Sequence, residues 1–323
     1  MDPDVAAAIP DLVHRGVLSS EQAAPLLRVA RGERASVRAE LRALLYLGVL
    51  LIVGGVSLLV KENLERIGPV TIAVALALAA AACLFWVARR AGAFTWEEAP
   101  EPHLALDYLL LLGVLLAGAD LAYVEAKFTP LGELWPYHLL LVALLAGAAA
   151  VRYDSRLVFS LALSTFAAWR GVAVSFAAGG AWLARGTTAL TWNAIACGLL
   201  FVGLGYAMKH ARRKAHFEPI AVHLGWLLVL GGLFAGTVGG PPEQWRVWAV
   251  LLLGVGGALG YWGFRRRRFW LFALGVAGAY VGHARLAADW VGAQALGCLW
   301  FFWTSAAVIV LLVWAHFQLR RHA

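Results

Sequence analysis

Charge is what this chain has least of. Only 14% of its 323 residues are Asp, Glu, Lys or Arg, while 62% are hydrophobic. Water-soluble domains carry about 25% charged and about 45–50% apolar residues, so this composition excludes a protein whose whole surface faces water. Cysteine is nearly missing as well. Cys83, Cys197 and Cys298 fall in three different apolar stretches, with no Cys-x-x-Cys spacing. That excludes a disulfide framework and a thiolate zinc site, and the three read as small buried residues. Also absent are a G-x4-G-K-[ST] phosphate loop, an H-E-x-x-H helix and a G-x-S-x-G elbow. The nine histidines are scattered. No catalytic, cofactor-binding or metal-binding residue is assigned, and no cofactor is expected. No basic n-region precedes an early apolar run, so no cleavable signal peptide is expected.

What is present is ten long apolar stretches, at 41–60, 69–88, 104–124, 134–151, 156–171, 188–208, 217–237, 245–263, 268–286 and 294–317. A hydrocarbon core about 30 Å thick is crossed by about 20 apolar helical residues. The fold class expected is an all-α polytopic transmembrane bundle of about ten spans, residues 41–317, behind a small N-terminal helical hairpin and linker, residues 1–40. Lys and Arg collect in alternate gaps: 20 on the side of the N-terminus and only 7 on the other. Loop Lys and Arg stay on the cytoplasmic side during insertion, which places both termini in the cytoplasm. A crossing between Arg170 and Arg185 would erase that bias. The fifth span is therefore ended at 171, and residues 172–187 are read as an outer loop, lying in the interface or re-entering. The formal charge of +8 sits in short loops beside apolar spans. That placement suits the bilayer and anionic lipid headgroups at basic cytoplasmic turns, such as Arg152–Arg156 and Arg265–Arg268, and no nucleic-acid partner is expected. Of the 15 Trp, most fall near span ends, as an aromatic belt requires. Trp226, Trp300 and Trp303 lie deeper and are assigned to packing between helices.

In the tail, Ile9, Leu12 and Val13 share a helical face and Gly16 can end that helix. Ser19 and Gln22 have the spacing of a capping box for a second helix carrying Ala23, Leu26, Leu27 and Ala30. Such a hairpin is too small to bury a core alone, which makes a cytoplasmic protein partner one expectation for it. Small-residue motifs, Gly232-x3-Gly236, Gly256-x3-Gly260 and Gly278-x3-Gly282, mark close helix packing, assigned mainly within the chain. A shift of 110 residues pairs spans four and five with spans eight and nine, Arg156 falling on Arg266, and suggests a parallel repeat.

Ionisable residues at membrane depth are the remaining lead. Asp107 and Asp120 share span three but, 13 positions apart, cannot share one face. Asp120 is chosen to pair with Arg170 on the outer side, and His223 is the deepest titratable group. Asp107, Asp120, Arg170 and His223 form the candidate pathway or polar cluster. Two functions remain open: a transporter-like or lipid-handling membrane protein, and a non-transporting scaffold or sensor that recruits a partner through its hairpin.

The order of features carries a resemblance. The phrase from Leu12 to Ala23, a basic linker, the Gly-rich run Leu47–Gly55 and the polar turn Lys61–Ile67 resemble the bacterial multi-pass membrane family called domain of unknown function 2157. The resemblance covers roughly residues 5–150. It departs at Asn63-Leu64, where an Asn-Trp pair is the family pattern. It implies architecture and bacterial origin, and it transfers no site residue.

Overall fold

The computed structural model describes residues 9–10, 12–16, 19, 21–23, 44–52, 54–55, 58, 68–98, 104–128, 132–177, 188–240, 243–291 and 295–321. The chain divides into two units, Met1–Leu64 and Glu65–Ala323. No strand occurs among the described residues.

In the N-terminal unit, the local chemistry expected from sequence is in place. Gly16 takes φ 70°, the left-handed geometry that ends a helix without a Cβ clash. Ser19 and Gln22 form the reciprocal capping box. Gln22 N–H donates to Ser19 Oγ at 3.2 Å, and Ser19 N–H donates to Gln22 Oε1 at 3.1 Å. Ile9 and Ala23 are buried. Residues 44–52 are helical; Leu26, Leu27 and Ala30 lie outside the described residues.

The larger unit contains nine long helices among its described residues: α1 Pro69–Arg90, α2 Leu104–Lys127, α3 Pro136–Tyr153, α4 Arg156–Ala177, α5 Thr188–His210, α6 Glu218–Gly239, α7 Trp245–Arg265, α8 Phe269–Val291 and α9 Ala295–Arg321. Proline opens α1 and α3, where its missing N–H costs no helical bond. Arg89 and Arg90 complement the dipole at the end of α1. Among the described residues, eight helices are long and apolar enough to cross a bilayer, in line with the expected count of about ten. The 22 residues of α4 span about 33 Å. One correction follows: α4 continues to Ala177, so residues 172–177 are helix rather than outer loop. The remainder of that segment, 178–187, lies outside the described residues.

Helices pair as antiparallel hairpins, α1 with α2, α3 with α4, α5 with α6 and α7 with α8, with α9 against α8. Three of the connecting turns share one geometry. Asp154, Arg212 and Arg267 sit in the left-handed region at φ 61°, 53° and 55°. The following N–H reaches back to the carbonyl five residues earlier: Ser155 to Ala150, Arg213 to Met208, Arg268 to Gly263. That is the Schellman termination usually built on glycine. The equivalent of Asp154 is Arg267, three residues away from the partner that the 110-residue repeat assigns to it.

The glycine motifs pack within the chain. A Cβ on Gly198 would lie 2.5 Å from Gly225 O, so α5 and α6 touch backbone to backbone. Gly256 meets the α8 backbone at Gly275 and Ala279, and Gly282 meets α7 at Ala249 and Leu253. In lipid this close approach supplies dispersion contacts in place of a hydrophobic drive. Val222, Val229, Leu230, Leu233, Trp248, Leu252, Leu259 and Leu271 form the core between α6, α7 and α8. Trp226 packs on that core, as expected from its depth. Trp300 instead meets His283 of α8, ring centroids 6.2 Å apart, and Trp303 is 67% exposed on α9. A lipid-facing indole needs no partner helix, because the surrounding solvent is itself apolar.

Candidate functional site

The turns at the ends of α1, α3, α5 and α7 meet at one end of the bundle, and most basic residues lie there. Asp154, held in its left-handed turn, presents a carboxylate to the turn between α5 and α6. Lys214 Nζ donates to Asp154 Oδ1 at 2.8 Å, with both side chains buried. His216 Nε2 lies 2.7 Å from the same oxygen without hydrogen-bond geometry. Lys214 is 2% exposed. A cation buried that deeply is held by its partners, since leaving either charge alone costs several kcal/mol. Beside this group Phe159 stacks on Phe217, centroids 4.4 Å apart, and His216 meets Phe217 edge-on.

The connection from α1 to α2, residues 91–98, crosses this end as a strap tied at several points. Lys214 N–H donates to Trp96 O at 2.7 Å. The Lys214 ammonium sits over Phe94 and the Arg213 guanidinium over Trp96. Arg152 donates to Gly92 O at 3.4 Å, and Arg156 pairs with Glu98 at 2.6 Å. Of these ties, the exposed Arg156–Glu98 pair contributes least, about 0–1 kcal/mol. The buried Lys214 contacts decide the position of the strap.

Beneath the strap is a cavity of about 100 Å³. Arg90, Arg152, Asp107, Asp154 and Lys214 line it, with Thr95 and Tyr153. A second ion pair closes the neighbouring turn. Arg268 donates twice to Glu218, at 2.8 and 3.2 Å, and Lys209 stands 3.9 Å from the same carboxylate. Glu218 is buried, at the start of α6.

The four residues chosen from sequence are not brought together. Asp107 lines the cavity at the basic end. Asp120 belongs to the opposite half of α2, where its buried Oδ1 has no hydrogen-bond partner. Arg170 sits 5.7 Å over the Trp169 ring and forms no ion pair with Asp120. His223 meets Trp270 edge-on at 6.4 Å. Sequence reasoning took the turn Arg152–Arg156 for a topology signal and a headgroup contact, and missed the Asp154–Lys214 pair with His216 beside it and the Glu218–Arg268 pair. One signal was available for Glu218, an acid directly before a helix-opening proline.

A second opening, an apolar groove of about 340 Å³, runs between α7, α8 and α9, with Tyr280 and His283 among its lining residues. Tyr280 binds Ser305 across it at 2.6 Å. Among the described residues no group of three or more His, Cys, Asp or Glu is placed to hold a metal ion.

No curated protein and no solved structure matches the chain. Residues 10–159, the stretch that supplies the strap, Asp107, Arg152 and Asp154, match the family model described as "Predicted membrane protein (DUF2157)", the family that the sequence resembles.

Proposed function

We propose that this multi-pass membrane protein is lipid-handling, and that it engages anionic headgroups at its basic end. The observation that carries this reading is the position and size of the polar cavity. It opens where the basic turns converge, at the ends of the long apolar helices, and not along the bundle axis. Its volume of about 100 Å³ accommodates a few waters or one small polyatomic group. Metabolite pockets run to about 300–1,000 Å³, so a transported solute fits this space poorly. The backbone contacts that close α5 against α6 and α7 against α8 also speak for a packed bundle rather than an aqueous pathway. In this reading the basic end faces the cytoplasm of a bacterial inner membrane, with both termini on that side, by the loop charge bias.

The test uses the full chain in detergent, titrated with mixed micelles of phosphatidylglycerol or phosphatidylcholine. Phosphatidylglycerol is expected to raise the unfolding temperature more than phosphatidylcholine does. The difference should shrink as salt rises, because exposed charges are screened over about 8–10 Å at ordinary ionic strength. An equal response to the two lipids overturns the reading.

A further inference from the structure

We infer that the cavity beneath the 91–98 strap is a binding site for a phosphate group, gripped at its rim by Arg90 and Arg152. The inference deepens the lipid-handling reading and rests on it for the source of the phosphate.

Of the five charged residues lining the cavity, three are cations, Arg90, Arg152 and Lys214, and two are carboxylates, Asp107 and Asp154. The floor charges are already matched, because Lys214 and His216 both stand against Asp154. Asp107 likewise has a partner within the protein. The rim differs. Arg90 and Arg152 are exposed, and their contacts are weak for guanidinium groups. Arg90 lies 5.2 Å over the Trp86 ring and Arg152 lies 5.1 Å over Tyr153 with one 3.4 Å hydrogen bond to Gly92 O. A guanidinium presents five N–H donors in a planar fork that matches phosphate oxygens two at a time. Two such forks at the mouth of a space for one small group select a phosphate over a carboxylate by number of acceptors. Asp107, also in the lining, limits what can enter: a second anionic group in the cavity meets a carboxylate. Lys214 and Asp154 are positioning residues, since they hold the strap and the turn that carries Arg152.

The experiment compares the wild type, the double variant Arg90→Gln/Arg152→Gln and a charge-matched control, Arg265→Gln/Arg266→Gln, whose residues lie on the neighbouring basic turn and do not line the cavity. Each full chain is probed with inorganic phosphate in neutral detergent by thermal unfolding. Each is also probed in nanodiscs of phosphatidylcholine doped with phosphatidylglycerol, by native mass spectrometry of retained lipid. Charged hydrogen bonds to phosphate are strong enough that losing both arginines is expected to weaken binding by about tenfold or more. A loss of phosphatidylglycerol retention in the rim variant but not in the control supports the site and the lipid source. Stabilisation by inorganic phosphate that the rim variant loses, with phosphatidylglycerol retention the same in all three proteins, supports the site with a free phosphate as ligand and overturns the lipid reading. Phosphatidylglycerol retention that falls equally in both variants overturns the site and leaves the lipid reading standing as diffuse charge attraction. No response to either probe in the wild type overturns both.

Discussion

Adding one methyl group to Gly198 tests the packing of the bundle directly. A Cβ there would lie 2.5 Å from Gly225 O, 2.8 Å from Val229 N and 2.8 Å from Val229 Cγ2, where ordinary contact begins at 3.4 Å. Two of the three obstacles are backbone atoms, so the side chain of Val229 cannot relieve them by turning away. Regaining contact distance requires α5 and α6 to move apart by nearly 1 Å. A gap of about 0.5–1 Å forfeits roughly a quarter to a half of each contact's attraction along the seam. Overpacking of this kind costs about 1–3 kcal/mol, and the helix propensity gained by replacing glycine offsets about 0.5–1 kcal/mol. Gly203, on the same helix, supplies the control: nothing lies within 4 Å of its Cβ position, so only the propensity gain remains. Gly198→Ala is expected to lower the unfolding temperature in detergent, followed by intrinsic Trp fluorescence. Gly203→Ala should leave it unchanged or raise it slightly, and Gly198→Ala/Val229→Ala should show no recovery. A Gly198→Ala protein as stable as the wild type, or one rescued by trimming Val229, would refute the backbone contact.

The three turns share a left-handed residue, and at Asp154 its side chain also holds the buried Lys214. Arg212→Gly and Arg267→Gly should each stabilise by about 0.5–1 kcal/mol in thermal unfolding, because glycine occupies φ near 55° without strain. Asp154→Asn should cost about 3–5 kcal/mol by leaving the Lys214 ammonium buried and unpaired, while Asp154→Asn/Lys214→Met should recover most of that loss. Asp120→Asn and Arg170→Gln should add within about 0.5 kcal/mol in unfolding measurements, since the structure shows no ion pair between them; a coupling of 1 kcal/mol or more would restore the pairing expected from sequence. Single cysteines at Ser19, Arg213 and Arg267, in a background lacking the native three, should label from the cytoplasm and those at Gly132, Gly186 and Gly240 from outside; labelling of Arg213 from outside would reverse the assignment of the basic end.

Features encoded by neighbours in sequence were legible, and features encoded by distant pairs were not. The capping box needs only Ser19 and Gln22 three apart, and the structure contains both of its hydrogen bonds. The small-residue motifs likewise announced close helix approach, and Gly256 and Gly282 make it. Span five was ended at 171 because a further crossing between Arg170 and Arg185 would erase the Lys and Arg bias. Helical backbone is satisfied internally whatever the side chain, so the helix runs on to Ala177. The candidate site was a different problem. Asp154 and Lys214 are 60 residues apart, and nothing periodic connects them. In a loop sequence, a lysine that fixes topology and a lysine that fills a buried pair look alike. Asp107 was named from its depth and does line the cavity, but Arg90 was counted only in the charge bias, and Arg152 was assigned to topology and headgroup contact without reference to a cavity.

Why a bundle in lipid should retain a buried ionic cluster follows from how its parts are joined. Replacing a buried ion pair by apolar residues is often neutral or stabilising, so Asp154 and Lys214 are poor devices for stability alone. Their position suggests what they add. Hairpin α5–α6 and hairpin α7–α8 are sealed by glycine seams in which backbones touch. The hairpin α3–α4 meets its neighbour through aromatic contacts, Phe166 with Phe201 and Phe159 with Phe217. Flat rings tolerate sliding in a way that interlocked backbones do not, and lipid offers no hydrophobic drive to hold one register. A buried charge pair does specify register, because a shift of one residue strands both charges. The Asp154–Lys214 contact therefore fixes α3–α4 against α5–α6 at the end where the strap crosses, and it sets where Arg152 stands at the rim of the cavity. Stability is supplied by the glycine-sealed half, and the geometry of the basic end is set by its ion pairs. A variant that loosens the cluster should alter headgroup binding before it alters the unfolding of the α5–α8 core.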